Sequence, residues 1–125
     1  MANSAQVNGS GGPVFWSITV SQLKVATYQA KLMAPNGTVL EKWTDQRTDD
    51  SLPDRFQISS PPASLPGCIL SWDSYVMDPT DKGGGYVGTV AVDQDGRPLC
   101  VESASGQIPS GNGKADLYAD EIRFL

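Results

Sequence analysis

Glycine and proline interrupt this chain more often than a helical domain of its size tolerates, with thirteen of one and nine of the other along 125 residues. Proline inside a helix removes a hydrogen bond and clashes with the preceding turn, while glycine adds an entropic cost to any regular element. What lies between the interruptions is short and alternating, which is the signature of strands. The clearest case is the stretch bounded by Pro66-Gly67 and Asp78-Pro79. In alternation it sets Cys68, Leu70, Trp72 and Val76 on one face and Ser71, Asp73 and Tyr75 on the other. It reads as a central strand with one face for a core and one for water or a ligand.

The same pattern extends in both directions. Pro13 to Val20 alternates Val14, Trp16, Ile18 and Val20 with Phe15, Ser17 and Thr19. Leu23 to Met33 also suits a helix face, but Val25, Thr27 and Tyr28 favour a strand, and Ala34-Pro35-Asn36-Gly37-Thr38 after it is a hairpin signal. A three-residue loop there predicts Leu32 opposite Leu40 and Lys31 opposite Glu41, an apolar pair and an ion pair. Trp43 is expected to end the returning strand, leaving 44–54 as a polar loop of roughly ten residues.

Arg55 to Ser59 reads as a short strand, and the prolines of 61–66 as an extended connector. Tyr86, Gly88, Val90 and Val92 share a face. Beyond them, a three-residue turn predicts Asp93 opposite Arg97 and Val90 opposite Cys100. A two-residue turn at Asp95-Gly96 pairs Ala91 with Cys100 instead. Ser103 to Lys114 is read as a glycine- and serine-rich loop, and Ala115 to Leu125 as a closing strand rather than a helix, with Leu117, Ala119, Ile122 and Phe124 apolar.

The expectation is an all-β domain over 13–125: an antiparallel β-sandwich, jelly-roll or Ig-like, or a small barrel, of about seven or eight short strands. Residues 1–12, polar and rich in small residues, are expected to form a disordered tail.

Composition narrows the chemistry. The absence of histidine removes Ser-His-Asp and Cys-His mechanisms and the commonest zinc and copper sites. A net charge of −5, without a Lys/Arg cluster, argues against nucleic acid and against anionic membranes. No apolar run approaches the roughly 20 residues of a spanning helix, and the amino terminus has no signal-peptide pattern. The compartment stays open between the cytoplasm and export without a recognisable signal. Cys68 and Cys100 match no metal or redox motif and are either two reduced, buried thiols or one structural disulfide. Asn8-Gly9-Ser10 and Asn36-Gly37-Thr38 match the glycosylation sequon but are taken as chance.

Asp73 and Tyr75 on the outer face of the central strand, with Asp78 and Asp81 beyond it, form the densest grouping of carboxylates with an aromatic ring. Trp43 and Asp45, beside the polar loop, extend it. Such a mixture suits a sugar, whose apolar face stacks on an aromatic plate while its hydroxyls donate to carboxylates. The competing account is structural, with Tyr75 packing at a sheet edge and the aspartates initiating turns.

No cofactor is expected. A calcium site built from Asp45, Asp49, Asp50 and Asp54 is a weaker alternative, because no recognised calcium-loop motif is present. The glycines after Asp81-Lys82 lack the spacing of a phosphate loop. The first functional expectation is therefore a non-catalytic, lectin-like or adhesin-like binding module, recognising a carbohydrate or a protein surface through its loops and an exposed strand face. The alternatives are a structural subunit that forms a homo-oligomer, a protein inhibitor presenting the rigid segment 60–66, and a small enzyme working with carboxylates.

Overall fold

The structure, a computed structural model, describes residues 3–21, 24–49, 53–80, 82–111 and 115–125, with 45–49 described in backbone only. Among these residues there are nine strands: β1 (Asn3–Ala5), β2 (Val14–Val20), β3 (Val25–Met33), β4 (Val39–Asp49), β5 (Asp54–Gln57), β6 (Ile69–Met77), β7 (Gly84–Gln94), β8 (Arg97–Ile108) and β9 (Ala115–Phe124). They form two sheets, ordered β1-β9-β6-β3-β4 and β5-β2-β7-β8. The domain is an all-β sandwich, antiparallel throughout except where β1 runs parallel to β9. Only β3–β4 and β7–β8 are hairpins within a sheet; the chain otherwise crosses from one sheet to the other.

The alternation read in the sequence is what fills the space between the sheets. Val14, Trp16, Ile18 and Val20 of β2 and Tyr86, Val90 and Val92 of β7 face Leu70, Trp72 and Val76 of β6 and Leu32 of β3, all buried. Trp16 is the hub, with the rings of Tyr28, Trp43 and Phe56 at 6.0, 5.3 and 5.1 Å. Within the five-stranded sheet, Trp72 of β6 meets Tyr118 of the neighbouring β9 edge-on at 5.9 Å. Aromatic pairs at such separations add about 0.5–1.5 kcal/mol each beyond the area they bury. β6 occupies the middle of the five-stranded sheet, between β3 and β9, so the stretch with the clearest alternation is also the one paired on both sides.

Several elements differ from the sequence reading. β4 continues through 44–49, and β8 runs from Arg97 to Ile108, so the first half of each of two expected loops is strand. The amino-terminal segment is not a tail: Asn3–Ala5 pairs with Ile122–Phe124, and Ala5 is fully buried. Gln94, itself buried, locks this segment down by accepting from the Asn8 N–H at 2.9 Å and donating to the Asn8 and Gly12 carbonyls at 2.8 and 2.9 Å. The proline-rich connector holds one 3₁₀ turn at Pro62–Ser64, where prolines at the first positions sacrifice no donor. At the carboxy terminus the buried residues are Tyr118, Ile122 and Phe124, while Leu117 and Ala119 point to solvent.

Both hairpin registers are altered by bulges. At β3–β4 the expected three-residue loop forms, with the Ala34 N–H donating to the Thr38 carbonyl at 2.8 Å and Gly37 at φ +89°. A bulge between Leu32 and Met33 then absorbs Leu40, so Leu32 faces Glu41 and Lys31 faces Lys42. The predicted Lys31–Glu41 ion pair is not made. Glu41 accepts instead from the Ser59 and Ser60 N–H groups at 2.8 and 3.2 Å and from the Ser60 hydroxyl at 2.9 Å.

At β7–β8 the loop is the two-residue form. Asp95 and Gly96 have φ +52° and +74°, and Gln94 pairs with Arg97. A bulge next to Val92 then brings Cys100 opposite Val92 rather than Val90 or Ala91. Both cysteines are free thiols, so the disulfide alternative is not realised in this structure. Cys68 is buried with its thiol 3.5 Å from the Ser64 carbonyl, and Cys100 is half-buried on the other sheet. Burial pushes both thiols above their ordinary pKa.

Candidate functional site

Because β6 alternates without a bulge in either of its ladders, its odd-numbered residues line the outer face of the five-stranded sheet in register with β3 and β9. Tyr75 lies between Thr27 and Leu117, Asp73 between Gln29 and Ala119, and Ser71 between Lys31 and Glu121. Tyr75 and Leu117 are directly opposite and 54% and 53% exposed, an apolar step standing open on a polar face. Beside it, the side chains of Gln29, Lys31, Ser71 and Asp73 together with Lys42 and Thr44 of β4 border a depression of about 230 Å³.

The depression has a local cause. Tyr28 faces Gln46 while Ala30 faces Trp43, so one residue of β3, Gln29, stands against two of β4, Thr44 and Asp45. Such a bulge interrupts the ladder, bends the strand and increases its twist, which opens space between neighbouring side chains. Its polar lining offers an amide, two hydroxyls, a carboxylate and two ammonium groups within one shallow concavity.

Of the residues expected from sequence, Asp73 and Tyr75 lie where the alternation put them, exposed and two residues apart on β6. Asp45 is in the bulge of β4, with its backbone alone described. Trp43 is not a plate at a loop. It is half-buried on the inner side, packed on Trp16 and Phe56.

Asp78 is committed to the fold. It accepts from the Thr80 N–H and hydroxyl at 2.9 and 2.8 Å and lies 3.9 Å from the Lys24 ammonium, both side chains being nearly buried. The Thr80 hydrogen bonds, aided by Lys24, hold its carboxyl below the usual range. Asp81 and Asp50 lie outside the described residues.

The four aspartates weighed for calcium do not share one loop. Asp45 and Asp49 belong to β4 of one sheet, whereas Asp54 opens β5 of the other and accepts from the Tyr28 hydroxyl at 2.6 Å. Among the described residues no group of three or more acidic, cysteine or histidine side chains is placed to hold a metal ion.

On the outer face of the second sheet Val87 and Val101 stand exposed, and the β5–β2–β7 side is tied up by its own contacts. Arg55 stacks 3.8 Å from the centre of the Phe15 ring and pairs with Asp93 at 2.6 Å, so Asp93, expected opposite Arg97, is engaged elsewhere. Sequence reasoning missed Gln29, Lys31, Lys42, Thr44 and Ser71 as neighbours of Asp73. The available signal was Val39-Leu40, two adjacent apolar residues that a regular edge strand would not both expose. They are 40% and 45% exposed, with Leu40 the extra residue of the register shift.

A scan against protein-family models gives no match, and the same holds for comparisons with curated proteins and with solved structures. Among the described residues no helix is long and apolar enough to cross a membrane.

Proposed function

We propose that this chain is a non-catalytic binding module that recognises a carbohydrate through the outer face of the five-stranded sheet. The observation that carries the reading is the half-exposed Tyr75–Leu117 step beside the depression bordered by Gln29, Ser71 and Asp73. A pyranose has an apolar face, which an aromatic ring covers, and a rim of hydroxyls, which need acceptors and donors at its edge. Both are offered here by strands rather than loops, and a site on strands is held with little ordering cost on binding.

The test is a glycan array with the intact chain, the Tyr75→Ala variant and the Asp73→Asn variant. Binding to a defined set of sugars, weakened at least about tenfold by Tyr75→Ala, supports the reading. A blank array for the intact chain contradicts it.

A second reading is favoured by the sheet edges. Among the described residues β4 and β8 are long and unpaired on their outer sides, with Val39, Leu40 and Val101 exposed along them, which fits a subunit that extends its sheets across a homo-oligomer. Light scattering over a wide concentration range separates the two readings, since a strict monomer removes this one.

A further inference from the structure

We propose that Lys31 and Lys42 form an anion subsite within this face, so that the carbohydrate recognised is an acidic oligosaccharide, carrying a carboxylate or sulfate on a sugar further along the chain from the ring that stacks on Tyr75. The inference rests on the binding-module reading above and adds the charge of the ligand to it.

Four observations carry it. The two lysines are direct cross-strand partners on β3 and β4, and both border the depression. Like charges set opposite each other in a sheet destabilise it, and a chain with 14 acidic residues against 9 basic ones has ample means to avoid the pairing. Neither lysine takes part in the ion pairs present among the described residues, which join Lys24 to Asp78 and Arg55 to Asp93. Finally, it is the bulge at Leu40 that denies Lys31 the acid expected opposite it, because Glu41 is moved against Leu32 and bound by Ser59 and Ser60. Two lysines paired across the strands at one concavity, each without a carboxylate partner among the described residues, complement an oxyanion.

The spacing supports a sugar rather than a lone ion. Lys31 is level with Ser71, four residues from Tyr75 along β6, which is on the order of 13 Å at strand rise. An oligosaccharide laid along β6 therefore meets the aromatic step first, then Asp73 and Gln29, then the lysines. Asp73, between the two ends, accepts neutral hydroxyls and disfavours a second anionic group there. An acidic peptide is the other polymer with suitable charge, but it has less use for a flat aromatic step followed by a carboxylate.

The experiment is a calorimetric titration of the intact chain with a uronate-containing oligosaccharide, its carboxyl-reduced counterpart, a sulfated oligosaccharide and polyglutamate, repeated with Lys31→Ala/Lys42→Ala and with Tyr75→Ala. The expected result is that a uronate or sulfated sugar binds at least about tenfold more tightly than the neutral counterpart. The preference should shrink as salt rises from about 0.01 to 0.15 M and vanish in the double lysine variant. Tyr75→Ala should weaken acidic and neutral sugars alike. Thermal melting of the double variant controls for folding, and because it relieves a repulsion it should melt no lower than the parent.

If acidic and neutral sugars bind equally, or the lysine variant keeps the preference, the anion subsite is wrong while the binding module stands. Should no sugar of either kind bind, both fall. Polyglutamate binding as tightly as the acidic sugars, with the same lysine dependence, overturns the assignment to a glycan.

Discussion

Two glycines show how closely the packing of this sandwich is specified by single residues. Gly88 of β7 faces inward against Tyr118, and a methyl group built there would sit 2.5 Å from a ring carbon of that tyrosine. Gly106 makes the same allowance for the Tyr86 hydroxyl and Asp116, which are hydrogen-bonded at 2.8 Å. Gly88→Ala must displace a buried ring, and overpacking of this kind costs about 1–3 kcal/mol. A denaturant midpoint that does not move would contradict the contact. On the outer face the opposite effect is expected. Lys42→Glu replaces a repulsive cross-strand pair with an attractive one, which should raise stability by about 0.2–1 kcal/mol while removing any preference for acidic sugars. A loss of stability would mean that Lys42 has a favourable partner in solution.

At the level of elements, what was legible in the sequence was whatever the core enforces. The faces of β2, β6 and β7 were readable because burial demands apolar residues at every second position, and the placement of Asp73 and Tyr75 followed from that same rule. The outer halves of β4 and β8 were not, because polar residues at a sheet edge are held by backbone pairing that no side-chain pattern records. β1 was hidden for the same reason, its order coming from a backbone ladder to β9 and from Gln94 far along the chain. Register was the hardest feature. A bulge costs one residue and shifts all that follow, so an ion pair deduced from an ideal hairpin became the Lys31–Lys42 pairing.

The bulge also makes a prediction. Leu40 is the extra residue, 45% exposed, and deleting it would leave the pairings Met33–Val39 and Leu32–Glu41 intact on a continuous ladder. The deletion variant should keep its β circular dichroism and lose no more than about 1 kcal/mol, within the usual reach of a surface change. Deleting Leu70 instead should abolish folding, because β6 has no bulge to absorb the shift and its whole inner set would turn outward. Equal tolerance of the two deletions would refute the register described above.

For the whole molecule, buried hydroxyls and carboxylates set the range of pH in which the sandwich holds. Burial first, and then neighbouring acids, raise the pKa of Tyr28, Tyr86 and Tyr118, with Tyr86 pushed up to about 12. The folded chain thus holds these protons more tightly than the unfolded one. The stability they contribute is complete below about pH 10, the ordinary tyrosine value, and is lost as pH rises from there through the folded values. Asp78 acts in the opposite sense. Its lowered pKa means that its contribution is present above about pH 4 and declines as pH falls through that value towards the folded one. Denaturant titrations across pH should show a plateau through neutrality with a loss on each side, the alkaline one reduced in Tyr86→Phe. A stability that keeps rising above pH 10 would contradict the burial of these rings.

The outer face of the five-stranded sheet is the candidate surface because it sets the exposed Tyr75 ring beside Asp73 and the two lysines, whereas on the four-stranded sheet the exposed Val87 and Val101 are aliphatic and Phe15 and Asp93 are engaged by Arg55. Backbone amide shifts recorded while a uronate oligosaccharide is titrated into the labelled protein test this most directly. Shifts confined to Gln29, Lys31, Lys42, Ser71, Asp73, Tyr75 and their strand neighbours are the predicted result. Shifts clustered on the opposite sheet or the connecting loops, or none at saturating sugar, would contradict it.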